Sequence, residues 1–316
     1  MSASASSDGC STVHVIVTCT SRKTQPIPSA LRLDDVRGRG TAQRSREWIS
    51  RLSGLTGVPL LAADRLYAGE HWFVSRSLPG LAPGRGVRLW VCSAGYGLIP
   101  AGAPVRPYAA AFSGRPDRVP GGGDGARQWW RALSSWAGPA PGEPRSIRSL
   151  AAADRSATFL LALSASYLDA CQDDIAAAVE EVADPDTFMV VSAGARSSGS
   201  AGVAMVPADA RLQRFLGGTR QALNARIAAY LLSDGISSRA EATQSMMRLL
   251  AQQAPLTRYE RKKLSDREVT EMIACRLAQA PGTSASRLLR EFRDAGYACE
   301  QQRFAGLYRA TAGAER

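Results

Sequence analysis

Four apolar runs, each stopping at a turn of small hydroxyl residues or glycine, constrain this chain more than any other feature. The sharpest is Val13-His14-Val15-Ile16-Val17, followed by Thr18-Cys19-Thr20-Ser21-Arg22-Lys23. Val87-Arg88-Leu89-Trp90-Val91 runs into Cys92-Ser93-Ala94-Gly95-Tyr96-Gly97, and Phe159-Leu160-Leu161-Ala162-Leu163 into Ser164-Ala165-Ser166-Tyr167. The last, Phe188-Met189-Val190-Val191, ends at Ser192-Ala193-Gly194. Short apolar runs rich in β-branched residues suit strands covered on both faces, as in parallel sheets flanked by helices.

Helical patterns fall between these runs. Residues 41–52 carry Trp48, Ile49 and Leu52 on one stripe, and residues 64–73 lead into a helix that ends near Pro79-Gly80. Asp124 is placed to cap a helix with Trp129, Trp130, Leu133 and Trp136, read as core packing rather than a platform for stacking bases. Further helices are expected over 168–182, 209–216 and 219–232. Leu60 to Ala63 reads equally as a short strand or a helix start, Val203 to Val206 as a fifth strand, and 98–120 as coil passing over the sheet rim. Strand alternating with helix predicts right-handed βαβ units. The expected class is therefore α/β over residues 13–232, a mostly parallel sheet with helices on both faces.

Residues 1–12 read as a flexible tail, and 233–265 as a spacer helix (239–252) with a basic linker. Residues 266–316 read as three short helices, with Asp266 and Ser284 as caps, on the plan of a helix-turn-helix or winged-helix unit. Phe304, Leu307 and Tyr308 take the inner face of the third helix. Gln302, Arg303 and Arg309 are left near its outer face, as residue types that read base edges or hold phosphates. Arg287, Arg290 and Arg293 on the second helix, with Lys262 and Lys263 before the first, are placed to grip a nucleic-acid backbone. A helical interaction or dimerisation domain is the competing reading.

Charge supports the nucleic-acid reading. Residues 211–316 hold 18 Lys/Arg against 10 Asp/Glu, which is +8 of the chain's net +11. A polyanion such as DNA is the partner this favours, a solvated basic surface being the plainer alternative. Only three of the 39 basic residues are lysine, and Lys23 is the first by more than 200 positions. A lysine at the mouth of a strand, in a chain that otherwise uses arginine, suggests a need for a compact ammonium.

Several classes are excluded or disfavoured. Six cysteines without a Cys-x-x-Cys pair, and two histidines, argue against a zinc site or disulfide framework, so no metal and no cofactor is expected. No apolar run reaches the ~20 residues that span a bilayer, and the first residues lack signal-peptide features. The expected location is the cytoplasm, away from membranes. Neither a Gly-x-x-x-x-Gly-Lys-Ser/Thr nor a Gly-x-Gly-x-x-Gly motif follows the first strand, against nucleotide hydrolysis and dinucleotide redox chemistry.

The carboxyl ends of such strands are where open sheets bind ligands, and tight Ser/Gly turns suit anionic groups. Ser21, Arg22, Lys23, Ser192 and Gly194 are the rim candidates. Cys19 and Cys92 each end a strand and read either as thiolate nucleophiles or as small core residues. His71 reads as an acid or base, or as packing beside Trp72 and Phe73.

Cys19-x-x-x-Lys23, Leu66-Tyr67-x-Gly69, Ser93-Ala94-x-Tyr96-Gly97-Leu98-Ile99-Pro100 and Pro107-Tyr108 together resemble a family of bacterial and phage proteins of unknown function. More remotely, the plan is similar to the YaaA peroxide-stress proteins, the archaeosine synthase core domain and uracil-DNA-glycosylase-like folds. The resemblance spans residues 13–112 by motif. It implies an α/β pocket for a nucleobase or modified nucleotide, lined by Lys23, Tyr67, Ser93, Tyr96 and Tyr108, with Lys23 and Cys19 as the catalytic candidates. This chain departs from the pattern at Gly95, where the family has lysine, and at Ala109, where an acid is usual. Three functions follow as expectations: a DNA-acting protein of modification or anti-phage defence, a non-catalytic DNA-binding subunit, or an enzyme of free nucleotides or nucleosides. A homodimer or a defence-system partner protein is left open.

Overall fold

A computed structural model describes residues 12–114, 116–194, 203–255 and 260–314. The chain divides into two compact units, Met1–Ala254 and Pro255–Arg316. The tail expected over 1–12 lies outside the described residues apart from Thr12.

The first unit runs β1 (Thr12–Thr18), α1 (Gly40–Gly54), β2 (Leu61–Ala62), α2 (Ala63–Leu66), α3 (Glu70–Ser77), β3 (Gly86–Ser93), β4 (Gly97–Pro100) and β5 (Pro104–Val105). It continues with α4 (Gly122–Ser134), α5 (Ile147–Ala153), β6 (Thr158–Ala162), α6 (Ala165–Glu181), β7 (Phe188–Val191), α7 (Leu212–Leu216), α8 (Leu223–Ser233) and α9 (Arg239–Ala251). The four apolar runs are β1, β3, β6 and β7, the parallel strands of a five-stranded sheet in the order β4-β3-β1-β6-β7. Every residue of β1 after Thr12 is buried, so both faces of the sheet are covered. Trp48, Trp129 and Trp130 lie in this core, as their helical spacing predicts.

The expected coil after Ser93 is in part the antiparallel edge strand β4, with Ser93 paired to Gly97. Gly97 sits at φ +74, so the chain can reverse within three residues and deliver Leu98 and Ile99 into the core. A four-residue strand holding glycine and proline carries too little pattern to be read in advance. Leu61–Ala62 and Ala63–Leu66 show that both readings of that stretch were half right, a short strand running into one helical turn. The fifth strand shrinks to a single bridge, Val206 against Val191. Helix α5 was not foreseen; Ser146 and Ser149 close a capping box at its start.

Helix α9 is no spacer. Ala242, Met246, Leu249 and Leu250 bury one face of it in the α/β core, while Lys262 and Lys263 belong to the second unit.

That second unit comprises β8 (Lys262–Lys263), α10 (Asp266–Gln279), α11 (Ala285–Asp294), β9 (Tyr297–Ala298) and α12 (Gln301–Ala314). Its core of Leu264, Val269, Ile273, Leu277, Leu288, Leu289, Phe292, Cys299 and Phe304 takes in Phe304 as expected, with Leu307 and Tyr308 half-buried against it, and β8 pairs β9 in parallel. Ser265 rather than Asp266 caps α10, through a capping box with Glu268, and Ser284 caps α11 as its sequence suggests. No helix among the described residues is long and apolar enough to cross a membrane.

Candidate functional site

Strands β1 and β6 are neighbours, yet the chain leaves β1 toward β3 and leaves β6 toward β7. Loops that depart in opposite directions open a crevice at the carboxyl end of an open α/β sheet, and this is its topological switch point. Cys19 is the first residue beyond β1, tied down by its N–H to the carbonyl of Cys92 at 2.9 Å. Tyr167, in the first turn of α6, approaches from the β6 side, its hydroxyl 3.0 Å from Cys19 Sγ.

The loop after β1 is zipped to the segment after α2. Lys23 bridges Tyr67 in antiparallel fashion, Thr24 N–H donates to Leu66 O at 2.9 Å, and Ala68 N–H donates to Arg22 O at 3.1 Å. Gly69, at φ +97, then turns the chain into α3 with a backbone that other residues adopt only under strain. These contacts hold the half-buried Lys23 ammonium 4.5 Å from the ring centroid of Tyr108 and 5.1 Å from that of Tyr67. It also donates to the carbonyl oxygens of Thr20 and, at 3.5 Å, Ser21.

Beneath the ammonium runs a hydroxyl chain. Ser93 Oγ accepts the N–H groups of Gly95 at 3.1 Å and Tyr96 at 2.9 Å, which occupies both its lone pairs. Its own proton is therefore directed at Tyr108 Oη, 2.6 Å away. Tyr108 is left to pass its proton on to Tyr67 Oη at 3.0 Å.

Electrostatics follow from burial. Desolvation lowers the Lys23 pKa, opposed only by the neighbouring Cys19 charge. Desolvation pushes the phenols of Tyr67, Tyr108 and Tyr167 well up, and the Cys19 charge adds to each shift. The cluster thus presents neutral hydroxyl donors around one cation, and among the described residues Lys23 has no carboxylate partner. Such a cation is compensated by carbonyl dipoles and ring faces alone, an arrangement suited to receiving an anionic or carbonyl oxygen.

The other candidates separate by place. Tyr96 turns its hydroxyl to the backbone of Arg106, accepting from N at 3.0 Å, and supports the ring of Tyr108 from 5.2 Å. The carbonyls of Ala94 and Gly95 are taken by the indole N–H groups of Trp129 and Trp48, each at 2.8 Å, and that of Tyr96 by Arg145. This second loop is therefore internally satisfied. Ser21 and Arg22 are exposed at the mouth beside Lys23. Ser192 and Gly194 follow β7, two strands from β1, and are not brought into the cluster; the Ser192 hydroxyl is buried without a partner among the described residues.

Tyr167 is the member that sequence reasoning missed. The signal available was its place in the third small-residue turn.

His71 lies at the edge of the crevice. Its Nε2 is 3.0 Å from the carbonyl oxygen of Thr18 and so carries the proton, which leaves a buried lone pair on Nδ1 with no partner among the described residues. His14, within the sheet, accepts the Trp90 indole N–H on Nδ1 at 3.0 Å and faces Asp154 with Nε2 at 3.1 Å. Burial lowers both imidazole pKa values, with Thr18 or Asp154 opposing. The unfolded chain then takes up protons first. Stability is complete above the ordinary value of 6.5 and falls as pH drops toward the lowered ones, by up to ~1.4 kcal/mol per pH unit for each histidine. Urea midpoints at pH 7.5 and pH 5.5 test this; equal midpoints would refute it.

In the second unit Arg303 pairs with Asp266, Nε to Oδ1 at 2.7 Å, and donates to Leu264 O, so it ties α12 to the start of α10. Arg287 pairs with Glu291. Arg290, Gln302, Arg309, Lys262 and Lys263 are exposed.

No protein-family model matches the chain, and no curated protein sequence does.

Proposed function

We propose that this protein acts on nucleic acid, with the second unit binding DNA and the switch-point crevice of the first taking a nucleobase or modified nucleotide. The observation that carries the pocket is the desolvated Lys23 ammonium, held over two phenol rings without a carboxylate partner. An oxyanion or exocyclic carbonyl of a base would complete its coordination, and the Ser93–Tyr108–Tyr67 chain would supply neutral hydrogen bonds beside it. The glycosylase-like plan suggested by the motifs fits an α/β sheet with its site at the carboxyl rim. If the pocket is catalytic, the Lys23 amine and the Cys19 thiol are its nucleophiles. The helix-turn-helix or winged-helix reading of the second unit, and a role in DNA modification or anti-phage defence, rest on the same proposal. The complete burial of Tyr108 and Ser93 favours, as a second reading, a DNA-binding subunit that senses a ligand without turning it over.

The test is thermal unfolding of the whole chain against a panel of nucleobases, nucleosides and nucleotides, alongside Lys23→Met. The expected result is stabilisation of the native protein by at least one of these, lost in the variant. The variant alone should melt no lower than the native protein, because an ammonium without a carboxylate partner among the described residues is costly to desolvate. A variant that keeps the full ligand-induced shift would overturn the assignment of Lys23.

A further inference from the structure

Phe73 is 66 % exposed, the most of any large apolar side chain among the described residues. Helix α3 buries Trp72, Val74 and Ser75 and turns Phe73 outward. Phe215, the other exposed phenylalanine, rests against the ring of Tyr230 at 5.9 Å. Phe73 is instead paired with a cation: the Arg76 guanidinium stands over its ring, 5.6 Å from the centroid.

This ring lies beside the mouth of the switch-point crevice. Arg22, the residue before Lys23, accepts the Ala68 N–H on its carbonyl at 3.1 Å, and its Cδ is 3.6 Å from where a Cβ on Gly69 would stand. The Arg22 stem therefore runs against the start of α3. Phe73 N–H donates to Gly69 O at 2.9 Å, which places Phe73 one turn further along, and Arg76 follows three residues on. Residues three and four apart share a helix face. Arg22, Phe73 and Arg76 thus form a line leading away from Lys23 at intervals of one helical turn, ~5.4 Å.

The charge in this line is not neutralised. Arg22 and Arg76 are exposed, and neither has a carboxylate partner among the described residues. The acid of α3, Glu70, is committed to Arg226 at 2.8 Å and to the Thr219 N–H at 3.1 Å. Guanidinium groups on either side of a bare ring match a polyanion with flat apolar faces, phosphates meeting the arginines and a base meeting the ring. We propose that Arg22, Phe73 and Arg76 form a strip that seats a single-stranded nucleic-acid segment across the mouth of the crevice, with one base stacked on Phe73. The assignment rests on the reading of the crevice as a pocket for a base of nucleic acid, and adds how the strand carrying that base is held.

The experiment is fluorescence anisotropy of the full chain with a labelled single strand of about 20 nucleotides over a series of KCl concentrations. Phe73→Ala is expected to weaken binding about ten-fold, the loss of one stacked base, and Phe73→Leu nearly as much, because an aliphatic side chain has no ring face. Phe73→Trp should bind at least as tightly as the native chain. Arg22→Gln combined with Arg76→Gln should make the log–log salt slope shallower by roughly 1.4, the share of two single-strand phosphates. Phe215→Ala on α7 and Arg248→Gln on α9, both exposed positions, are the controls and should match the native chain.

If the native chain binds neither single strand nor duplex in a salt-dependent way, the proposed function and the strip fall together. If it binds and the Phe73 and arginine variants match the controls, only the strip falls. Phe73→Leu binding as tightly as the native chain, or Phe73→Ala dissociating a dimer without weakening strand binding, would mark an apolar contact with a protein surface and would also overturn the strip.

Discussion

Raising the pH above 10 is expected to unfold the first unit cooperatively. Tyr67, Tyr108 and Tyr167 have phenol pKa values well above the ordinary 10.0, chiefly through burial, and that of Tyr96 is pushed up to about 12. A raised folded value means that the unfolded chain releases its protons first, so stability is intact below pH 10 and declines as pH climbs past it. Four phenols contribute up to about 5 kcal/mol per pH unit, against a typical total of ~5–15 kcal/mol. Lys23 works in the opposite sense. Its lowered value adds stability as pH rises toward the ordinary lysine value of 10.5, which offsets one phenol at most. Of the chain's eight tyrosines these four should release their share of the phenolate absorbance near 295 nm together with the loss of far-ultraviolet circular dichroism, in one steep step between about pH 10 and 12. Phenolate from more than four tyrosines appearing around pH 10 with the dichroism intact would show that the tyrosine cluster is not sealed.

Gly95→Ala should be among the most damaging substitutions for its size. A Cβ at position 95 would stand 2.4 Å from both Cδ2 and Cε2 of Tyr108. That ring cannot move aside, being wholly buried between Trp48, Tyr67 and Tyr96, with its hydroxyl fixed by Ser93 and Tyr67. Overpacking of this kind costs about 3 kcal/mol, read as a fall in urea midpoint at constant slope. In a Tyr108→Ala background the same change should cost less than ~1 kcal/mol, since the clash is gone and the pair is directly coupled. Equal costs in both backgrounds would mean that Tyr108 does not occupy the space above Gly95. In this chain Tyr108 lies flat on the loop, and a side chain at 95 and the ring in this place exclude one another.

Much of the fold could be read ahead of the structure, for a local reason. Strands buried on both faces are apolar at most positions, so β1, β3, β6 and β7 are visible as runs, and Ser284 is visible as a cap because capping needs a hydroxyl at one fixed offset. Elements without such a signature escaped. Edge strand β4 has four residues, and α5 opens on two serines that also suit a loop. Helix α9 was misplaced because its stripe of Met246, Leu249 and Leu250 shows that it packs without showing against what.

The candidate site divides in the same way. Lys23, Tyr67, Ser93, Tyr96 and Tyr108 are grouped through motifs; the structure links Lys23 to the rings of Tyr67 and Tyr108 and Tyr108 to Ser93, while Tyr96 turns its hydroxyl to the backbone of Arg106. Tyr167 and His71 join through strand order and helix placement, which no short stretch of chain records. Arg303, read as open to a ligand, is spent on Asp266, while Arg261 and Arg293, from a linker and a helix, meet across the second unit.

The sequence by itself determined the strand-and-helix alternation, the small-residue turns at strand ends, the rarity of lysine and the basic last third, because periodicity, caps and composition act over a few residues. Only the tertiary structure decided that β1 and β6 flank the switch point, that Lys23 lies desolvated over two phenols, and that Arg303 is spent on Asp266. Burial and pairing depend on which distant segments become neighbours, and pKa shifts and free cations are consequences of that neighbourhood.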